Sequence, residues 1–140
     1  MMIFDLNRFI DAQSNTFSVA FGELQNGRKV SHWMWYVFPQ LKGLGKSEMS
    51  EYYGIAGIAE ARAYMEDPVL GFRLIECSQA VLSHSEKSAK EIFGDIDSKK
   101  LRSCMTLFRE ATPEIQVFDD VLETFFNGKP DYRTLRLLGK

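Results

Sequence analysis

The chain has 140 residues, is 45% hydrophobic and 26% charged, and carries a formal net charge of -2. That size suits one domain, residues 1–140, with a core that needs neither disulfides nor metal. The charge balance excludes bulk-electrostatic binding to nucleic acid. No window stays apolar over the ~20 residues that span a bilayer. The start, Met1-Met2-Ile3-Phe4-Asp5, is not a signal peptide, so a cytoplasmic location is expected.

The first segment predicts a helix from Asp5 to Gly27. Leu6, Phe9, Ile10, Phe17, Phe21 and Leu24 recur at helical spacing, with Asp5 as N-cap and Gly27 as stop. Gln13 falls on that apolar face, so it must find a partner or line a cavity. Ser31-His32-Trp33-Met34-Trp35-Tyr36-Val37-Phe38-Pro39 follows. Ser31 suits a cap, and the short helix must stop before Pro39; a buried strand is the alternative. Gln40 to Ser50 reads as a glycine-bearing loop.

Helical patterns then run from Ile55 to Asp67, from Asp67-Pro68 to His84, and from Ser88 to Gly94. Asp95 to Phe108 opens the next. Thr112-Pro113-Glu114 repeats the cap-then-proline device ahead of Ile115 to Phe126, and Asp131 caps a last helix through Leu138. No alternating strand, hairpin turn or solenoid repeat intervenes. The expected fold is all-α: a single multi-helical, orthogonally packed domain of about six to eight helices.

Gly45-Lys46-Ser47 has the ending of a phosphate-binding loop, but that motif needs a glycine where Gln40 stands, and a preceding strand. A weaker anion site remains: Gly43 and Gly45 permit positive φ, successive N–H groups can then cradle an anion, and Lys42, Lys46 and Ser47 are at hand. Asp95 and Asp97 look like a calcium-loop fragment without its downstream ligands. Lys99, Arg102 and Ser103, in the helix behind them, form a second candidate for phosphate contact.

The aromatic-histidine run is the other candidate site. An imidazole such as that of His32 can donate, accept or shuttle a proton near neutral pH and so can serve as a general acid or base. Helical geometry pairs His32 with Trp35 and Tyr36 and sends Trp33 to the core. His32 and His84 are not at metal-ligand spacing, no cofactor motif is present, and Cys77 and Cys104 read as reduced, small core residues. Cys104 could meet His32 only through a tertiary contact.

"SHWMWYVFPQLKGLGKS" from Ser31 to Ser47 resembles the signature of the DUF1810 family. So do "RFIDAQ", "EARAYMEDPVLGFRL", "IFGDIDSKKLRSCMTLF" and "FFNGKPDYRTLRLL", in that order. The resemblance implies a mostly α-helical domain of unestablished activity. It draws a shared site from positions that include Gln13, His32, Gln40, Lys42, Ser47, Lys100 and Ser103. The calpastatin label borne by some members conflicts with this globular composition, since calpastatins are disordered. The block order is also similar to the helical NADAR families, which cleave N-glycosidic bonds or handle ADP-ribose, and so points to nucleotide-like ligands.

Three functions follow as expectations. The first is binding of a small anionic or nucleotide-like molecule by His32, Gln13, Trp35, Tyr36, Gln40, Lys42, Ser47, Lys100 and Ser103. It requires the glycine loop and the helix bearing Arg102 to lie within one ligand length. The second is an enzyme that cleaves an N-glycosidic bond with His32. The third is a protein-interaction module built on exposed aromatics.

Overall fold

The computed structural model describes residues 4–140, and these form ten helices with no strand. They are α1 (Asn7–Ser14), α2 (Phe17–Gln25), α3 (Met34–Val37), α4 (Glu48–Tyr52), α5 (Ile58–Glu66), α6 (Leu70–Leu82), α7 (Ala89–Phe93), α8 (Asp95–Ala111), α9 (Val117–Phe126) and α10 (Tyr132–Leu137). No helix among the described residues is long and apolar enough to cross a membrane.

The count exceeds the expected six to eight for local reasons. The first stretch breaks at Asn15-Thr16. There Ser14 Oγ donates to the Asp11 carbonyl at 2.8 Å and Thr16 Oγ1 to the Ala12 carbonyl at 2.7 Å, competing with the helical ladder. The glycine-bearing loop also contains the start of α4. Ser47 caps it by accepting from the Ser50 N–H at 3.1 Å. The serine of the Gly-Lys-Ser run is therefore a helix cap.

Two expected caps do other work. Ser31 does not cap α3, which starts after Trp33; its hydroxyl is bound elsewhere. Thr112 Oγ1 donates back to the Phe108 carbonyl at 2.7 Å, and α9 begins only at Val117. By contrast Ser88 and Glu91 form a reciprocal capping box on α7, and Asp131 caps α10.

Helix α8 is the axis of the fold. Leu101 and every residue from Ser103 to Phe108 are buried, so this stretch is covered all round. It packs against α5, α7, α9 and α10, while α6 packs against α2, α5 and α9. Aromatic rings run through the interior from Phe9 to Tyr64 (5.2 Å), Phe108 (5.3 Å) and Phe118 (5.8 Å). Edge-on and tilted pairs of this kind add to the burial energy.

Buried polar groups are satisfied. Gln13, 1% exposed, donates through Nε2 to the Tyr36 carbonyl (2.6 Å) and Tyr64 Oη (3.2 Å), and accepts from Arg73 at 3.3 Å. Its place on an apolar face is thus a structural joint between α1, α3, α5 and α6. Arg8 and Glu60 form a second joint. They pair at 3.0 Å, and Arg8 also donates to the Tyr52 (2.9 Å) and Gly54 (3.1 Å) carbonyls. Glu60 in turn accepts from the Ala56 N–H at 2.7 Å. Together they clamp the backbone that follows α4. Beside it, Leu41 and Ile55 form an isolated parallel bridge.

Candidate functional site

Glu23 decides where the two tryptophans go. Its carboxylate, on α2, accepts from the Val30 N–H (2.8 Å), the Ser31 N–H (2.9 Å), Ser31 Oγ (2.6 Å) and Trp33 Nε1 (2.9 Å). Burial raises its pKa, but these donors outweigh burial and hold it down at about 2. Residues 30–33 are thereby folded back onto α2. Trp33 enters the core at 2% exposure, and His32 is left exposed. Trp35, in the first turn of α3, is not drawn in with Trp33. It is half-buried and forms a wall of a cleft.

That cleft has a volume of about 550 Å³, within the range of small-molecule sites. One wall is α8, where Ile96, Lys99, Lys100 and Ser103 fall on one face and Arg102 on its edge. A second is the segment around the bridge, with Gln40, Leu44 and Gly45, followed by Tyr53 on the backbone that Arg8 clamps. Asp131 and Arg133 come from the start of α10. Arg133 Nη2 donates to the Leu44 carbonyl at 3.1 Å, tying two walls together.

The charges here are unequal. Lys100 lies 4.0 Å over the Trp35 ring and pairs with Asp97 at 3.2 Å; Asp97 also pairs with Lys29 at 2.8 Å. Burial would raise the Asp97 pKa, and the two lysines outweigh it and hold the carboxyl below its usual value. Lys100 is therefore largely compensated. Lys99, Arg102 and Arg133 have no carboxylate within ion-pair distance among the described residues. Arg102 gives only its Nε, to the Lys129 carbonyl at 3.0 Å. Burial, with the neighbouring phenols Tyr52 and Tyr36, keeps Tyr53 in its neutral form by raising its pKa.

Of the residues singled out from sequence, Trp35, Gln40, Lys100 and Ser103 line this one cleft. Gly45 and Arg102 line it too, so the glycine loop and the α8 helix face one cleft from different walls. The others are elsewhere. Gln13 is buried in its joint, and Tyr36 lends its carbonyl to Gln13. Ser47 caps α4. Lys42 lines a second hollow of about 420 Å³ on the far side of Gly54, beside Arg8 and Glu60. His32 lines neither, and its only side-chain neighbour by hydrogen bond is the Tyr36 hydroxyl, 3.4 Å from the His32 carbonyl. Cys104 is fully buried while His32 is exposed, so they form no pair. Both cysteines are free; burial, with Glu76 adding to it, pushes the Cys77 thiol up to about 12, and burial raises Cys104 as well. No group of three metal-ligating side chains is assembled among the described residues.

The family model described as "Protein of unknown function (DUF1810)" matches residues 3–138. The chain belongs to the DUF1810 family. This DUF1810 domain is also similar to a solved structure, the conserved hypothetical protein Rv1873 from Mycobacterium tuberculosis, with 46% sequence identity. The match covers 98% of each chain at a TM-score of 0.96. No curated protein matches the DUF1810 chain. Among the cleft residues that sequence reasoning missed as site residues are Tyr53, Arg133 and Asp131. Asp131 was visible as a cap, but its place in the cleft depends on how α10 docks on α8.

Proposed function

We propose that the cleft between α8, α10 and the 40–54 segment binds a small anionic molecule with a flat portion, nucleotide-like in shape. One observation carries this reading. Lys99, Arg102 and Arg133 converge on a single cleft without carboxylate partners, beside the rings of Trp35 and Tyr53. Cations left unpaired in a concave, partly apolar site attract anions and strengthen each hydrogen bond made to them. The half-buried indole and the neutral phenol supply apolar surface for a ring.

The N-glycosidic reading relies on His32, which lies outside the cleft, and the interaction reading relies on exposed aromatics, whereas Trp33 is buried and Trp35 and Tyr36 are half-buried. No observation favours either over binding.

The test is calorimetric titration with adenosine monophosphate and with inorganic phosphate. Lys99→Glu and Arg133→Glu each reverse the charge of an exposed side chain and each weaken binding about 10-fold or more, the effect of losing one charge-assisted hydrogen bond. Lys46→Glu, on the exposed loop outside the cleft lining, leaves affinity close to wild type. Added salt weakens binding throughout. Absence of binding by both anions, or equal losses in Lys46→Glu, overturns the reading.

A further inference from the structure

Asp131 is the one carboxylate that lines the cationic cleft among the described residues. A carboxylate free to swing there would pair with an arginine or lysine and cancel the site. Asp131 does not. Its Oδ2 accepts from the Thr134 N–H (3.1 Å) and Thr134 Oγ1 (2.5 Å), with Ser103 Oγ, whose one proton is shared with the Lys99 carbonyl, at 3.2 Å, and its own N–H donates to Thr106 Oγ1 at 2.8 Å. None of Lys99, Lys100, Arg102 and Arg133 pairs with it; Lys100 pairs with Asp97 instead. The carboxyl is thus fixed at one oxygen by residues of α8 and α10, while Oδ1 accepts no bond among the described residues and is not shut off from solvent.

Resting on the anion-binding reading above, we infer that the ligand is a phosphate ester bearing a free hydroxyl, of the sugar-phosphate or nucleotide class. Its phosphate faces Lys99 and Arg133, and its hydroxyl donates to Asp131 Oδ1. An ionised carboxylate only accepts hydrogen bonds. The part of the ligand beside it must therefore be a donor and cannot be the phosphate. An ammonium donor would be repelled by the surrounding cations, which leaves a neutral donor, and the neutral donor that every sugar phosphate carries is a hydroxyl. A site built around a fixed acceptor discriminates strongly against analogues without the donor, because the acceptor is then desolvated and unpaired.

The experiment compares two esters with the same ring and phosphate. Ribose 5-phosphate carries ring hydroxyls and tetrahydrofurfuryl phosphate lacks them. By calorimetry on the wild-type chain, ribose 5-phosphate binds about 10-fold tighter or better, the worth of one hydrogen bond to a charged acceptor. In Asp131→Asn the amide oxygen keeps the α10 cap and the NH₂ replaces the free acceptor oxygen, so the ligand hydroxyl loses its charged acceptor and the gap falls to roughly threefold or less. Affinity for tetrahydrofurfuryl phosphate is kept or improved there, since a negative charge has left the cleft. Equal affinities for the two esters in wild type overturn the inference and leave the anion-binding reading standing. An unchanged gap in Asp131→Asn overturns the assignment to Asp131. Failure of both esters to bind overturns the inference together with the reading on which it rests. The wild-type comparison needs no variant, so a folding defect in Asp131→Asn cannot mask the result.

Discussion

Gly71→Ala lowers the melting temperature by about 10 °C, the shift that roughly 3 kcal/mol produces in a domain of this size. A Cβ at this position would lie 2.2 Å from the Met65 carbonyl oxygen and 2.9 Å from its carbon. Both are backbone atoms near the end of α5, so no side chain can swing aside. The only relief is to separate α6 from α5, whose contact is among those that build the core. Overpacking of this kind commonly costs about 1–3 kcal/mol, and a clash with backbone belongs at the upper end. Gly22 in α2 supplies the opposite case. A Cβ there meets nothing within 4 Å. Gly22→Ala therefore raises stability by about 0.5–1 kcal/mol through the loss of chain entropy in the unfolded state. Urea melts of the two variants should move in opposite directions. If Gly71→Ala melts like wild type, the close approach of α5 and α6 is wrong.

Glu23→Gln costs about 2 kcal/mol at neutral pH, again read from urea melts. Four donors aim at the carboxylate, and an amide has one oxygen to offer and turns an NH₂ toward the rest. The loss is tempered because the carboxylate is only partly shielded from water. The pH dependence gives an independent check. The folded-state pKa is depressed, from 4.5 to about 2. A group of that kind contributes its stability fully above pH 4.5 and loses it as pH falls toward 2. The stability gap between wild type and Glu23→Gln should accordingly close through that window. Parallel curves across it would show that Glu23 is not held as described. The substitution also loosens residues 30–33, so it should weaken ligand binding from a distance by releasing Trp33 and with it the orientation of Trp35.

The helical core was readable because its signals are local. Leu101, Met105 and Phe108 mark the buried axis of α8 by spacing alone, and Ser88 with Glu91, or Asp131, announce helix starts by chemistry that acts within one turn. The break at Asn15-Thr16 escaped because the apolar spacing continues across it while two polar side chains, Ser14 and Thr16, undo the ladder. At the site, Trp35, Gln40, Lys100 and Ser103 were named from sequence and share the cleft. His32 was set beside Trp35 by helical geometry, yet α3 begins only after Trp33, and the direction of His32 is fixed by Glu23 through Ser31. That partner lies in another helix, and no periodicity reports it. Lys42 and Ser47 looked like anion ligands because of the glycines around them. A Cβ on Gly54 would lie 2.7 Å from Lys42 Cβ and 2.8 Å from its Cα, and Lys42 lines the second hollow, not the cleft. Arg133 and Asp131 required knowledge of where the chain's last helix docks.

The two indoles make the domain its own optical instrument. Trp33 is 2% exposed, with its Nε1 on the Glu23 carboxylate and Lys29 4.9 Å from its ring, and Trp35 is half-buried in the cleft with Lys100 4.0 Å over its ring. Their emission therefore comes from two media, one blue-shifted and constant, the other red-shifted and sensitive to whatever enters. A molecule that displaces water from Trp35, or draws Lys100 off its face, changes only the red component. Trp35→Phe removes that signal and keeps the blue one, so occupancy of the cleft can be followed in the unlabelled protein at any stage of a ligand search.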